Sequence, residues 1–462
     1  MIRSNLPRSI AVIVAAILWQ LVLPHASRAA DAPRPNVVFV ITDDQRWDAM
    51  GCAGHPFIKT PNMDRIAREG AMFTNAFVTT PLCSPARSSF LTGQFVHTTG
   101  VKGNTPAMGP ISHRLITFPR LLHDAGYESA YVGKWHMGND DSPRPGFDRW
   151  VSFKGQGVYV DPVLNVDGKD EKKDGYITDI LTDYAVDFIN REHAKPFVLY
   201  VGHKAVHGPF RPAERHKDLY QTEALPERPN IKDDLSGKPV LTRETKEQGN
   251  EQIIRPNGAA SDRIPREQMR CLASVDEGLG KILDALEQKK LAENTIVIFT
   301  SDNGYFWGEH RLGDKRAAYE ESIRVPLLMR YPKLIKPGTK KPEMALNIDI
   351  APTLLQLAGA PIPKDVQGKS LVPVFEGKLG EWRSSALFEY FAEARFPRIP
   401  TWQAVRNERW KYIHYTDVAD ADELYDLQSD PYELKNLIAD AVAAEELKTM
   451  KAELEKQLNA TK

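Results

Sequence analysis

The chain has 462 residues, of which 42% are hydrophobic and 26% are charged, and its formal net charge is −1. This length is enough for one large α/β domain with a smaller companion. A chain this close to neutrality has no global field that would recruit nucleic acid or an anionic membrane. An anionic substrate must therefore be held by a local cluster of cations.

The N-terminus has the pattern of a secretory signal peptide. Two arginines precede the apolar run 10–23, and Ser27 and Ala29 place small residues at the −3 and −1 positions of a cleavage site. The run is shorter than the roughly 20 apolar residues that a membrane-spanning helix needs. We therefore predict a signal peptide at 1–29 and a periplasmic or secreted mature protein.

Short apolar runs alternate with amphipathic segments in the next part of the chain. The run 36–42 is rich in β-branched residues and is followed at once by acidic residues, which is typical of a buried parallel strand with function at its carboxyl end. The alternation of strands and helices predicts an α/β fold, in which helices flank a large mixed, mostly parallel sheet. Further strands are predicted at 128–133, 196–202, 295–304 and 325–331, and helices at 62–70, 116–126 and 266–290.

Two regions depart from this pattern. The segment 211–262 is rich in Pro, Lys, Asp and Glu and has no periodicity, which is typical of a substrate-facing loop or a mobile linker. From about Leu371 onward, short aromatic strands follow one another at hairpin spacing and are followed by a polar helix. We therefore predict a catalytic domain at 34–370 and a C-terminal subdomain at 371–462, built from a small antiparallel sheet and a helix.

Acidic residues follow two of the predicted strands. Asp43 and Asp44 end the first strand, and Asp302 and Asn303 end the strand that begins at Thr295. All four offer hard oxygen ligands, which Ca²⁺ or Mg²⁺ prefers, and no His or Cys stands beside them to favour zinc. One such pair alone is more often a strand-capping turn. Two pairs, each at the end of an apolar strand, predict a metal site.

Basic and imidazole side chains follow other strands: Lys134 and His136, then His203 and His207, and later Lys315. A lone lysine or histidine is usually solvated or packed, but several beyond separate parallel strands converge in one cleft. Such a cleft suits a tetrahedral oxyanion and its leaving group, so phosphate and sulfate esters both fit. A serine hydrolase and a Rossmann protein do not fit, because the chain has no G-x-S-x-G and no G-x-G-x-x-G after the first strand.

The chain has three cysteines, and one of them begins a specific motif. Cys52 and Cys271 are too few for a disulfide framework, and the sequence favours two buried free thiols while leaving a bridge between them open. Cys83 begins C-S-P-A-R at 83–87, which is followed by L-T-G at 91–93.

The C-x-P-x-R pattern of these residues resembles that of the sulfatase family, in the alkaline-phosphatase-like superfamily. The matching segments stand in the family's order and cover nearly the whole mature chain. Within the family, 270–283 and 300–332 are most similar to N-acetylglucosamine-6-sulfatases, and the D-K-R then Y-E arrangement from Asp314 to Glu320 carries much of that impression. The segments that carry the family resemblance are 43–70, 83–93, 133–136, 301–304 and 424–437.

The resemblance implies a role for each candidate residue. In the family a maturation enzyme oxidises the cysteine to formylglycine, so Cys83 is implied to be the precursor of the nucleophile, and Arg87 to stabilise the hydrated aldehyde. One hydroxyl of the hydrate would attack sulfur and the other would expel sulfate. His207 is preferred to His203 because it precedes G-P-F, where the family usually has H-x-P. The implied Ca²⁺ ligands are Asp43, Asp44, Cys83, Asp302 and Asn303, and the implied sulfate-binding and proton-transfer residues are Lys134, His136, His207 and Lys315.

The resemblance also implies a function. We expect an exported, formylglycine- and calcium-dependent sulfatase that acts on carbohydrate, with 6-O-sulfated N-acetylglucosamine as the expected substrate and the maturation enzyme as a partner. Trp402, Arg406 and Trp410 either line the sugar pocket or pack under the small sheet. The alternatives are a sulfatase of other regiospecificity on glycosaminoglycan or algal glycans, a phosphonate or phosphate ester hydrolase of the same superfamily, and a non-catalytic sugar-binding protein.

Overall fold

A mixed sheet of ten strands lies at the centre of the computed structural model, which describes residues 33–244 and 262–462. The predicted signal peptide and part of the 211–262 segment lie outside the described residues. Arg34–Lys462 forms one compact unit. No helix in the described part of the chain is long and apolar enough to cross a membrane.

The strands agree closely with the apolar runs of the sequence. The strands are β1 Asn36–Thr42, β2 Ala71–Phe73, β3 Ala76–Phe77, β4 Glu128–Gly133, β5 Arg149–Ser152, β6 Val163–Val166, β7 Lys169–Lys172, β8 Phe197–Gly202, β9 Thr295–Ser301, β10 Phe306–Trp307, β11 Gly313–Asp314, β12 Leu327–Arg330, β13 Thr339–Lys341, β14 Ala345–Leu346, β15 Ser385–Tyr390, β16 Trp402–Asn407, β17 Trp410–Tyr415 and β18 Glu423–Asp426. The central sheet has the order β13-β2-β12-β9-β1-β8-β4-β5-β6-β7, and a second sheet has the order β15-β16-β17-β18.

Helices cover both faces of the central sheet. The helices are α1 Pro61–Glu69, α2 Cys83–Thr92, α3 Val96–Thr99, α4 Met108–Ser112, α5 Phe118–Asp124, α6 Ile177–Asn190, α7 Pro239–Thr242, α8 Arg263–Gln288, α9 Glu320–Ile323, α10 Ile350–Leu357, α11 Val372–Glu376 and α12 Ala444–Ala460. Side chains alternate along β1, so that Val38 and Val40 pack in one core with α6 and α8, while Phe39 packs in the opposite core with α2, α5 and α10.

The middle of the sheet is parallel, which brings several strand ends together. β9, β1, β8, β4 and β5 are parallel neighbours, whereas β12, β6 and β7 supply the antiparallel pairings. At the carboxyl edge Gly133 of β4 pairs with Gly202 of β8, and a Cβ added to Gly133 would lie 1.9 Å from the Gly202 carbonyl oxygen. Glycine at this strand end therefore allows the close approach on which the geometry of the edge depends.

The C-terminal antiparallel sheet shares a core with residues that come much earlier in the chain. Trp402, Tyr425 and Leu454 of this part pack with Phe77 and Tyr319. The prediction of a mostly parallel α/β sheet with a smaller antiparallel sheet and helix is confirmed. The domain boundary at about residue 371 stays a prediction.

The structure differs from the sequence-based predictions in two details. Pro85 in the C-S-P-A-R motif predicts a helix that begins at this residue. Helix α2 begins two residues earlier, at Cys83, and Gly93 ends it in a left-handed conformation with φ 74°. Arg87 therefore lies in the second turn. Cys52 and Cys271 are both free thiols, as favoured, but Cys52 is only partly buried.

Candidate active site

Four strand ends bring the candidate residues to one edge of the sheet. β1 and β9 are in register, with Thr42 beside Ser301, so the acidic pairs that follow these two strands become neighbours. β8 pairs with the other edge of β1, and β4 pairs in turn with β8. The long-range pairing therefore brings Asn303 against Asp44, which lies 259 residues earlier in the chain.

Three buried carboxylates converge beside the candidate cysteine. Asp43, Asp44, Asp302 and Cys83 each place one potential ligand atom within 4.8 Å of all the others. Asn303 donates its amide to Asp44 at 2.7 Å, and its Oδ1 is buried without a hydrogen-bond partner. Carboxylate and amide oxygens are the ligands that Ca²⁺ prefers, and an unpartnered buried oxygen beside them fits a cation site.

Three cations lie against these carboxylates. Lys134 Nζ bonds to Asp43, and Lys315 Nζ bonds to Asp44. Arg87 donates Nε to Asp302 Oδ2 at 2.8 Å. Its Nη1 donates to the Lys134 carbonyl oxygen at 2.5 Å, and its buried Nη2 has no hydrogen-bond partner. Arg87 is thus fixed by two bonds and keeps one donor nitrogen for a ligand.

The Cys83 side chain lies between these charges. Its Sγ is 3.2 Å from Lys315 Nζ and 3.4 Å from Asp43 Oδ1. Burial, with the Asp43 charge adding to it, raises the pKa of Cys83 far above its ordinary value. The residue is therefore a neutral thiol and not a ready thiolate nucleophile. Ser84 holds this helix start in place, because its Oγ donates to the His136 carbonyl oxygen at 2.7 Å.

The pKa values of Asp43 and Asp44 are shifted in opposite directions. Burial by itself would raise the pKa of Asp43, but Lys134 and the other nearby cations lower it well below its ordinary value. Burial raises the pKa of Asp44 to about 7, against the opposing effect of Lys315 and with help from Asp43. A divalent cation among these groups would stabilise all of the carboxylates in the ionised form.

Both candidate histidines at this edge are neutral bases. Burial is the main reason that the pKa values of His136 and His207 lie well below their ordinary range. His207 places Nδ1 2.7 Å from the Gly208 carbonyl oxygen, so Nδ1 carries the proton and Nε2 is left as an acceptor. That Nε2 is 3.8 Å from Asp44 Oδ2.

A cavity of about 1470 Å³ opens above this cluster. Asp44, His136, His207 and Lys315 line it, whereas Cys83 does not and is buried below. The other wall comes from Asp314, Arg316 and the segment 391–396, which follows the first strand of the C-terminal sheet. Both parts of the chain therefore contribute to one cavity.

Several residues of this site stand outside the motifs of the sequence. Gln156 accepts a bond from Lys134 Nζ, and Asn104 accepts one from the Ser84 amide at 3.0 Å. Tyr159 donates to the His207 carbonyl oxygen at 2.7 Å. These residues stand in irregular segments with no motif, so no local signal marked them.

The residues that the sequence left ambiguous lie elsewhere. His203 is buried with both ring nitrogens unpartnered and does not line the cavity. Trp402 donates Nε1 to the Arg316 carbonyl oxygen at 2.8 Å, and Arg406 pairs with Glu320. Trp402 and Arg406 are therefore packed structural residues. Arg406 and Trp410 also line a separate cavity, which shares no lining residue with the first.

Comparison with known proteins agrees with this arrangement. The family model "Sulfatase" matches residues 35–360, and the model "N-sulphoglucosamine sulphohydrolase, C-terminal" matches residues 308–460. An N-acetylglucosamine-6-O-sulfatase of Bacteroides thetaiotaomicron is 35% identical over 92% of this chain and 86% of its own length. The N-acetylglucosamine-6-sulfatase of Homo sapiens is 32% identical over 81% of this chain and 70% of its own length.

One solved structure is similar to this chain over most of its length. It is described as a complex with its substrate D-glucosamine-2-N,6-O-disulfate, and it is 34% identical with a TM-score of 0.81, covering 92% of this chain and 98% of that chain. The motif, the fold and these relatives together show that the chain belongs to the sulfatase family and hydrolyses sulfate esters.

Proposed function

We propose that this protein is an exported, formylglycine- and calcium-dependent sulfatase that removes the 6-O-sulfate of N-acetylglucosamine at the non-reducing end of glycans. The observation that carries the proposal is the cluster of buried carboxylates and lysines around Cys83, at the base of a cavity large enough for a sugar. The named activities of two relatives support the choice of sugar and position. The predicted signal peptide supports export.

The proposed calcium ligands are Asp43, Asp44, Asp302 and Asn303, together with the modified residue at position 83. The donor set fits, because these are hard oxygen ligands in a buried pocket where the carboxylates otherwise repel one another. A bound Ca²⁺ would supply electrostatic stabilisation to anionic oxygens at the site.

The proposed nucleophile is formylglycine made from Cys83, and in the present structure the Cys83 Sγ stands in for the oxygen of that group. A hydrated aldehyde supplies two hydroxyls on one carbon, which a cysteine or a serine does not. The position suits an anion, because residue 83 starts helix α2 and the positive end of the helix dipole points at it.

The surrounding side chains have proposed roles that follow from where they lie. Arg87 Nη2 would donate to the nucleophile, and Lys134 would bind a sulfate oxygen while Gln156 holds its ammonium group. Lys315 Nζ, 3.2 Å from Sγ, would protonate the leaving sugar oxygen, or His207 would do so once its Nε2 has taken up a proton. His136 has a buried, unpartnered Nδ1 and would act as the base for release of sulfate.

The cavity wall supports a sugar substrate. Asp314 and Arg316 form an ion pair there, and Arg316 Nε also donates to Glu393 at 2.7 Å. All three line the cavity and present donors and acceptors in fixed positions, which suits recognition of sugar hydroxyls. Such a wall beside the reacting group favours an exo-acting enzyme.

Release of free sulfate from a panel of 2-, 3-, 4- and 6-sulfated monosaccharides tests the proposal, with enzyme coexpressed with a maturation enzyme. We expect release from 6-sulfated N-acetylglucosamine, and Cys83→Ala should be inactive but still folded. The peptide 81–87 of the active protein should weigh about one water less than its unmodified form. Faster hydrolysis of nitrophenyl phosphate than of nitrophenyl sulfate would favour a phosphate ester hydrolase instead.

A further inference from the structure

Two cations at the mouth of the cavity have no carboxylate partner. Lys102 and Arg395 line the cavity, and within the described residues neither makes an ion pair. Both are exposed. Lys102 Nζ lies 4.7 Å from the centre of the Phe391 ring, which holds the ammonium group near the rim without neutralising it.

The carboxylates of the cavity are already paired. Asp44 bonds to Lys315, and Asp314 and Glu393 both bond to Arg316. Asp44, Asp314 and Glu393 carry three negative charges against the two positive charges of Lys315 and Arg316, so Lys102 and Arg395 leave this set of lining residues with one net positive charge. Because the whole chain has a formal net charge of −1, this excess is local and not a general property of the surface.

The segments that carry Lys102 and Arg395 are connected by hydrogen bonds to the start of helix α2, next to Cys83. Asn104, two residues after Lys102, accepts a bond from the Ser84 amide beside Cys83. The backbone N–H of Asn104 donates to Glu393 Oε1 at 3.3 Å, on the segment that carries Arg395. The segments that carry Lys102 and Arg395 are thus linked to each other beside the start of helix α2.

We infer that Lys102 and Arg395 bind a second anionic group, a carboxylate or a sulfate, on the sugar next to the one that is desulfated. This inference rests on the proposed function, since it places a desulfated sugar in the cavity. It makes the preferred substrate a polyanionic glycan and not a singly sulfated one. Phe391, which lines the cavity beside Lys102, offers an apolar ring to the second sugar.

The test compares three disaccharides that carry 6-sulfated N-acetylglucosamine at the non-reducing end. The second sugar is a neutral hexose, the same hexose with a sulfate, or a uronic acid, and kcat/KM is measured by release of free sulfate. We expect the wild type to prefer the anionic disaccharides about tenfold, the scale of two partly exposed ion pairs. The preference should fall as salt is raised.

The variant Lys102→Gln/Arg395→Gln should reduce the ratio of anionic to neutral kcat/KM to about one. Lys336→Gln/Lys340→Gln removes the same charge from exposed positions outside the cavity lining and should leave the ratio unchanged. A ratio near one in the wild type, or a ratio that falls equally in both double variants, would overturn the inference alone. Failure to release sulfate from any disaccharide or from the monosaccharide would instead contradict the proposed substrate, and the inference with it.

Discussion

Replacing Lys411 with methionine tests how the C-terminal sheet supports the segment that carries Lys315. Lys411 lies on β17, is buried, and donates to the Ala318 carbonyl oxygen at 3.1 Å. Its Nζ is also 2.9 Å from Glu320 Oε1 and 2.7 Å from Glu433 Oε1. Methionine keeps most of the apolar stem but removes the charge, so the variant changes electrostatics more than packing.

The expected magnitude follows from the partners that remain. Glu320 keeps Arg406 at 2.9 Å, whereas Glu433 has no other ion-pair partner among the described residues. Removing one member of a buried ion pair costs about 3–5 kcal/mol, because the other charge is left unpaired. We therefore expect the free energy of unfolding to fall by about 3–4 kcal/mol.

The deficit should depend on pH in a defined direction. Burial raises the pKa of Glu433, and Lys411 opposes that rise. Without Lys411 the folded-state pKa should rise further above the unfolded value, so the protonated form is favoured in the folded protein. The stability deficit should consequently be smaller at pH 5.5 than at pH 7.5.

Urea denaturation at the two pH values measures both effects. The matched control is Lys456→Met, since Lys456 is 75% exposed, lies 3.1 Å from Glu453 and should change stability by only about 0–1 kcal/mol. A deficit for Lys411→Met no larger than that of the control would refute the electrostatic reasoning. So would a deficit that grows as the pH falls.

Three further predictions concern single side chains. Asp302→Asn should abolish the rise in melting temperature that added Ca²⁺ gives the wild type, because bound ligand stabilises only the folded state, and an equal rise in both proteins would exclude this residue as a ligand. Gln156→Leu removes the side-chain acceptor that holds Lys134 and should lower kcat/KM about tenfold to a hundredfold, whereas Gln156→Glu should retain more activity. The hydrogen bond to Glu389 raises the pKa of His97 above its ordinary value of about 6.5, so this pair stabilises the fold at lower pH and loses its effect as pH rises. The melting temperature of the wild type should therefore exceed that of His97→Gln by more at pH 5.5 than at pH 8.5.

The strands, the helices and the polar residues that follow the strands can be predicted from the amino-acid sequence alone. Apolar runs of β-branched residues can only be buried strands here, and the predicted strand at 36–42 matches β1 residue for residue. The acidic pairs after β1 and β9 are visible because the polar residues follow an apolar run directly. The short aromatic strands of the C-terminal part were equally clear, since β16 coincides with the run 402–407.

Which side chains contact one another can be seen only in the folded protein. The register that sets Thr42 beside Ser301 is a long-range pairing, and no local pattern encodes it. Gln156 reaches Lys134 from an irregular segment, and Trp402, an open candidate for the sugar pocket, bonds to the Arg316 carbonyl oxygen instead. Local propensity and periodicity report on neighbours within a few residues, whereas these contacts depend on how separate elements pack together. The types of residue at the site can therefore be predicted from short segments of the sequence. The residues that line its cavity can be identified only from the way the two sheets pack together.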